Sequence, residues 1–94
     1  MATLRLGSFV WHDRKAATNE KKHGVTFEEA ATVLDHPLTR IFEDPMDPQR
    51  AVAIGHSARS RLLVVVHIEH DELTRILSAR EATKHERRFY EEDT

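Results

Sequence analysis

No cysteine occurs among the 94 residues, so the chain has neither a disulfide framework nor a thiolate metal site. Long apolar runs are missing too. The longest stretch, Leu62 to Ile68, is seven residues, far short of the ~20 a spanning helix needs. Arg5 interrupts the start Met1-Ala2-Thr3-Leu4-Arg5, which therefore does not read as a signal peptide. The expectation is a cytoplasmic protein. Nor is there an excess of positive charge: the formal net charge of −2 argues against a purely electrostatic nucleic-acid binder. Internal repeats and low-complexity segments are also lacking.

What is present suits one globular domain, residues 1–94, with a modest core. The apolar fraction is 39 % and the charged fraction 32 %, a globular rather than disordered balance. Charge is unevenly placed. Residues 75–90 hold five Lys/Arg against two Glu, whereas residues 28–47 hold six acids against Arg40. A basic end and an acidic middle fit two partners on two surfaces.

Leu4 and Leu6 alternate with Arg5 and Gly7, a strand signal that extends to Trp11. Asp13 is a candidate N-cap for a helix over 15–23, with Gly24 as its left-handed stop. Thr26 with Glu29 has the capping-box form, and the helix it opens stops by Asp35, because Pro37 excludes His36 from helical geometry. Strands are then expected over 38–43, 50–56, 62–68 and 73–79. A loop, Asp44-Pro45-Met46-Asp47-Pro48, separates the first two. Leu62 to Ile68 is apolar on both faces and reads as a central strand. Thr83 with Glu86 is a second capping box, opening a last helix at Lys84. The order β-α-α-β-β-β-β-α implies an α+β domain. Its antiparallel sheet has about four to five strands, with two helices in the N-terminal half and one at the C-terminus.

The densest chemistry lies at that last junction. Arg80 ends a strand, and Lys84 shares one side of the helix with Arg87 and Arg88. A guanidinium grips two phosphate oxygens at once, so Arg80 is the leading phosphate-binding candidate; pairing with Glu81 or Glu86 is its bland alternative. Lys84 is a second phosphate cation or an acid–base group, and otherwise a solvated helix residue. Arg87 and Arg88 extend an RNA surface or support the helix. Lys22 and His23 end the first helix. There His23 is a candidate proton donor and acceptor and Lys22 an RNA contact, although the helix dipole alone also favours cations at that end. Arg61 opens the central strand and would face the same surface as Arg80 if those strands pair. Arg75, inside the last strand, must reach water, a carboxylate or substrate. His67, Glu69 and His70 do not share a strand face, so their spacing is poor for a metal. Phe9 and Trp11 read as core or partner contacts, and the acidic stretch as a solvated face.

Phe9-x-Trp11, Lys15, Asn19-x-x-Lys22-His23-Gly24-Val25-Thr26-Phe27-Glu28-Glu29-Ala30, Leu62-Leu63-Val64-Val65-Val66 and Arg75-Ile76-Leu77-Ser78-Ala79-Arg80-x-Ala82-Thr83-x-x-Glu86-Arg87-x-x-Tyr90 together resemble the BrnT family of toxins from bacterial type II toxin–antitoxin pairs. His12 departs from it, since Asp more often follows the Trp. The resemblance implies a RelE-like fold and a metal-independent endoribonuclease that cleaves mRNA and arrests growth. It also implies a hetero-oligomer with a BrnA-like antitoxin, whose ribbon-helix-helix part binds DNA. No cofactor and no membrane partner are expected. On this reading His23, Arg61, Arg80 and Lys84 are the catalytic candidates, and Lys22, Arg75, Arg87 and Arg88 the RNA-binding ones. The rival from another class is a non-catalytic module that binds nucleic acid or antitoxin only within a repressor complex. In either case the basic face could also be the surface where the antitoxin docks.

Overall fold

The computed structural model describes residues 2–92. The expected first strand is a hairpin: β1 (Thr3–Leu6) and β2 (Phe9–His12) flank a turn in which Gly7 takes φ +60°, a conformation only glycine adopts freely. Then come α1 (Asp13–His23), α2 (Phe27–Leu34), β3 (Arg40–Asp44), β4 (Asp47–His56), β5 (Leu62–His70), β6 (Leu73–Glu81) and α3 (Lys84–Glu92). The α+β class and the three helices are as expected. Splitting the first strand makes six strands, in the order β1-β2-β6-β5-β4-β3. The sheet is mixed, because β2 runs parallel to β6 through Phe9–Thr74 and Val10–Arg75, while the other pairings are antiparallel. The proline loop shrinks to Pro45-Met46, and Pro48 falls inside β4. The ladder there skips from Asp44–Asp47 to Glu43–Ala51, so Pro48 owes it no N–H.

Alternation assigns the two faces. Phe9 and Trp11 of β2, Ala53 of β4, Leu63 and Val65 of β5, and Ile76 and Ala79 of β6 meet Val25, Phe27, Ala30, Ala31 and Val33. This is the helix face, and burying each large side chain contributes about 1.5–3 kcal/mol. Trp11 lies edge-on to Phe27 with centroids 6.0 Å apart, so it belongs to the core. His67 is buried on this face as well, and burial lowers its pKa. The opposite, open face is covered only at one end. There Tyr90 of α3 packs with Ile54, Leu62 and Val64, meets the His56 ring edge-on, and donates its hydroxyl to Leu38 O at 3.1 Å. Central β5 feeds both cores, Leu63 and Val65 on one side and Leu62 and Val64 on the other, which explains its uninterrupted apolar sequence.

One edge is incomplete. β2 pairs with β6 only as far as Val10–Arg75, leaving the second half of β6 without a strand on that side. Asn19, the buried residue of α1, takes that place. Its Oδ1 accepts from Ala79 N at 3.0 Å. Its Nδ2 donates to Ala79 O at 2.8 Å and to Val25 O at 3.0 Å. One side chain thus satisfies both backbone groups of an edge residue and the turn between α1 and α2.

Candidate active site

The last junction is built locally, as the sequence predicts. Thr83 Oγ1 accepts from Glu86 N at 3.1 Å, and Glu86 Oε1 accepts from Thr83 N at 2.8 Å, closing the capping box at the start of α3. Glu86 has a second task. Arg80, the residue before β6 ends, donates from Nη1 to Oε1 at 2.8 Å and from Nη2 to Oε2 at 2.9 Å. This fork holds the Glu86 carboxyl at about 2, well below the usual range, with the Thr83 N–H helping. Arg80 pairs in register with Val64 and so lies on the open face, with its side chain 41 % exposed. Lys84, Arg87 and Arg88 are exposed on α3 and have no acid partner among the described residues.

Asn19 joins α1 to this junction. Its bonds to Ala79 set the middle of α1 beside the residue that precedes Arg80. Lys22 and His23 follow within one helical turn. A groove of about 320 Å³ runs between them and β6, lined also by Arg14, Lys15 and Thr18 from α1 and by Leu77 and Ser78 from β6. Ser78 pairs with Val66 and Ile76 with His67, so Leu77 is the extra residue of a bulge along this stretch of β6. Arg14, Lys15 and Thr18 were not among the sequence candidates. Positions 15, 18 and 22 share one helix face at spacings of three and four, which is the signal that marks Lys15.

Arg61 takes a different course from the one expected. β5 and β6 do pair, but its guanidinium turns to the helix face. Nε donates to Glu29 Oε2 at 2.9 Å, and Nη2 donates to Glu29 Oε1 and to Gly24 O at 3.0 Å. Ser57 Oγ donates to the same carboxylate at 2.7 Å, and Arg59 Nη1 lies 3.8 Å away. The Glu29 side chain is 4 % exposed, so its charge needs partners, and Arg61 supplies the strongest. That hydrogen bond also lowers the Glu29 pKa against the effect of burial. Thr26 Oγ1 still caps Glu29 N at 3.1 Å, but the Glu29 carboxylate is drawn away to Arg61 and Ser57. His23 thus lines the groove along β6 with Leu77 and Ser78, Arg80 and Lys84 stand at the β6–α3 junction, and Arg61 turns to the helix face, bonded to the carbonyl next to His23.

Arg75 lies on the open face at the other end of β6, opposite Val10 and Ile68. Among the described residues, no group of three or more His, Asp or Glu side chains is gathered as a metal site would require. His67 faces the helices, whereas His70 is exposed, its Nε2 3.1 Å from Asp71 Oδ2.

Known proteins similar to this chain agree on one family. The family described as "Ribonuclease toxin, BrnT, of type II toxin-antitoxin system" matches residues 11–86. That span holds every candidate except Arg87 and Arg88. Among solved structures, the 1.1 Å crystal structure of the Brucella abortus ribonuclease toxin BrnT aligns with a TM-score of 0.64 and 25 % identity, covering 79 % of this chain and 94 % of that one. No curated protein matches significantly.

Proposed function

The chain belongs to the BrnT family of ribonuclease toxins of type II toxin–antitoxin systems, and from that premise we propose a metal-independent endoribonuclease that cuts mRNA in the cytoplasm and arrests growth until a BrnA-type antitoxin covers it. Family membership brings an RNA substrate and an antitoxin partner. No helix among the described residues is long and apolar enough to cross a membrane.

The observation that carries the site is the pair of hydrogen bonds exchanged between Asn19 and Ala79, which sets basic α1 against the strand bearing Arg80. In the proposed reaction the 2′-oxygen attacks the adjacent phosphorus and the P–O5′ bond breaks. A base takes the 2′-hydroxyl proton and an acid returns one to the 5′-oxygen. The products are a 2′,3′-cyclic phosphate and a 5′-hydroxyl. Arg80 and Lys84 bind the phosphate and stabilise its developing charge. His23, across the free edge of β6, handles the proton. Lys22, Lys15, Arg87 and Arg88 hold the flanking backbone. Arg61 fixes the carbonyl of Gly24 and thereby positions His23, without touching substrate.

Purified protein is expected to cut single-stranded RNA in the presence of EDTA and to leave cyclic phosphate ends. Expression alone is expected to stop growth, and co-expression of the antitoxin to restore it. Intact RNA together with normal growth would favour the non-catalytic repressor module. Cleavage abolished by EDTA would overturn the metal-independent mechanism.

A further inference from the structure

Three arginines at the β5–β6 pair differ in what they hold. Arg61 forks onto the buried Glu29, and Arg80 onto the partly exposed Glu86. Arg75 has no acid partner among the described residues. Among the described residues, its side-chain hydrogen bond is with His12, Nη1 to Nε2 at 3.4 Å. A guanidinium has no lone pair, so His12 Nε2 is the acceptor there and the remaining donors of Arg75 are unspent. The side chain is half-buried in the sheet and its remaining donors stay accessible, so a ligand can take them.

The surroundings select the ligand. Arg75 stands between Val10 and Ile68 on the open face, and with Leu73 and His70 these line a cleft of about 270 Å³. The walls are largely apolar. Acid adjoins it in the chain: Asp71 and Glu72, between the lining residues His70 and Leu73, form the tight turn that closes β5 onto β6, with φ of 51° and 65°, and Asp71 Oδ2 lies 3.1 Å from His70 Nε2. A phosphate would gain nothing from Val10, Ile68 and Leu73 and would be repelled by Asp71 and Glu72. A planar base suits the cleft, since single-stranded bases bind against apolar and imidazole surfaces with their edges hydrogen-bonded. The arginine fork matches the O6 and N7 acceptors of guanine, and a carboxylate of the adjoining turn suits the N–H donors of its other edge. Along an extended strand, Arg75 and Arg80 are at most ~16 Å apart, a separation of a few nucleotides.

We infer that this cleft binds a guanine base of the RNA a few nucleotides from the phosphate held at Arg80, so that Arg75 sets which sequences are cut. The inference rests on the ribonuclease reading above. Its test uses the full chain and a set of short RNAs, each with guanine or adenine at one position, scored both for cleavage in EDTA and for binding by fluorescence anisotropy. The wild-type protein is expected to prefer guanine at one position by ~10-fold or more, the discrimination of one good bidentate pair. Arg75→Lys keeps the charge but not the fork, and is expected to bring that ratio close to one. Asp71→Asn, a change in an exposed turn, is expected to lower it less. Thermal melting checks that each variant is folded. Equal handling of guanine and adenine by the wild type, or an unchanged ratio in Arg75→Lys, would overturn the inference. Guanine-selective binding without cleavage would sink the ribonuclease reading and leave the guanine site standing. Cleavage with no base preference would do the reverse.

Discussion

The chain contains the same local motif twice, and tertiary structure uses the two copies differently. Thr26 with Glu29 and Thr83 with Glu86 each have the spacing of a capping box. At α3 the box closes, and Glu86 also grips Arg80 on the open face, with both side chains partly exposed. At α2 the Thr26 half forms, but Glu29 turns inward to Arg61 and Ser57, where its side chain is 4 % exposed and that of Arg61 24 %. One Arg–Glu pair stitches β4, β5 and the α1–α2 turn together. The other lies at a solvent-facing strand end, where the proposed reaction has phosphate compete for the guanidinium. Similar forks therefore differ in consequence because of burial: a deeply desolvated charge depends on its partner, and a half-exposed one can exchange it for substrate or water.

That contrast breaks most readily at Glu29. Glu29→Ala strands Arg61 beside a buried, vacated carboxylate site, and is expected to lower unfolding stability by about 3 kcal/mol in urea titration. A loss under about 1 kcal/mol would mean that the two pairs are equivalent. Arg80→Ala tests the other side. Its RNA cleavage rate is expected to fall by at least ~100-fold, or about 2.7 kcal/mol of transition-state stabilisation, and a fully active variant would remove Arg80 from the chemistry. Asn19→Ala leaves the Ala79 N–H and C=O without their partner, and should cost about 2 kcal/mol in stability. Because it also loosens α1 from β6, its cleavage rate at a temperature where it is fully folded should fall as well; normal activity there would uncouple the α1 groove from the site.

Acid titration probes the same pairs more gently. Glu86 has a pKa of about 2 in the folded chain and 4.5 as its ordinary value. Its contribution is therefore complete above about pH 5 and is lost as pH falls from there toward 2. Stability measured across that window should decline, and Glu86→Gln should flatten the decline. An unaltered slope in Glu86→Gln would assign the acid sensitivity to Glu29, whose pKa is lowered in the same direction. The smallest expected effect is that of Arg80→Ala on stability, no more than ~1 kcal/mol, because that pair is partly solvated. A loss as large as that of Glu29→Ala would make both forks structural.

Several features were legible in advance because they are local. The start of α3 at Lys84 follows from Thr83 and Glu86, and the end of α1 from Gly24, whose φ of +70° matches the expected left-handed stop. The apolar run at β5 marks a strand buried on both faces. The split at Gly7 was missed because Leu4, Leu6 and Phe9 to Trp11 offer one continuous strand signal, and a single glycine inside it carries two readings. The side taken by Arg61 was not readable, since it depends on a carboxylate 32 positions away.

By itself the sequence determined the class of the fold, the segregation of charge and the position of a basic strand-to-helix junction, and it carried the family signature. These depend on periodicity, capping and composition, all of which act over a few residues. Only the tertiary structure decided which carboxylate each cation meets and how deeply. It sent Glu29 to Arg61, let Asn19 complete the open half of β6 60 positions along, paired Arg80 with Glu86, and left Arg75 without an acid among the described residues, in an apolar cleft. The physical reason is that a buried donor or charge must be satisfied by whatever the packed chain brings near, and that neighbour is not encoded in local spacing.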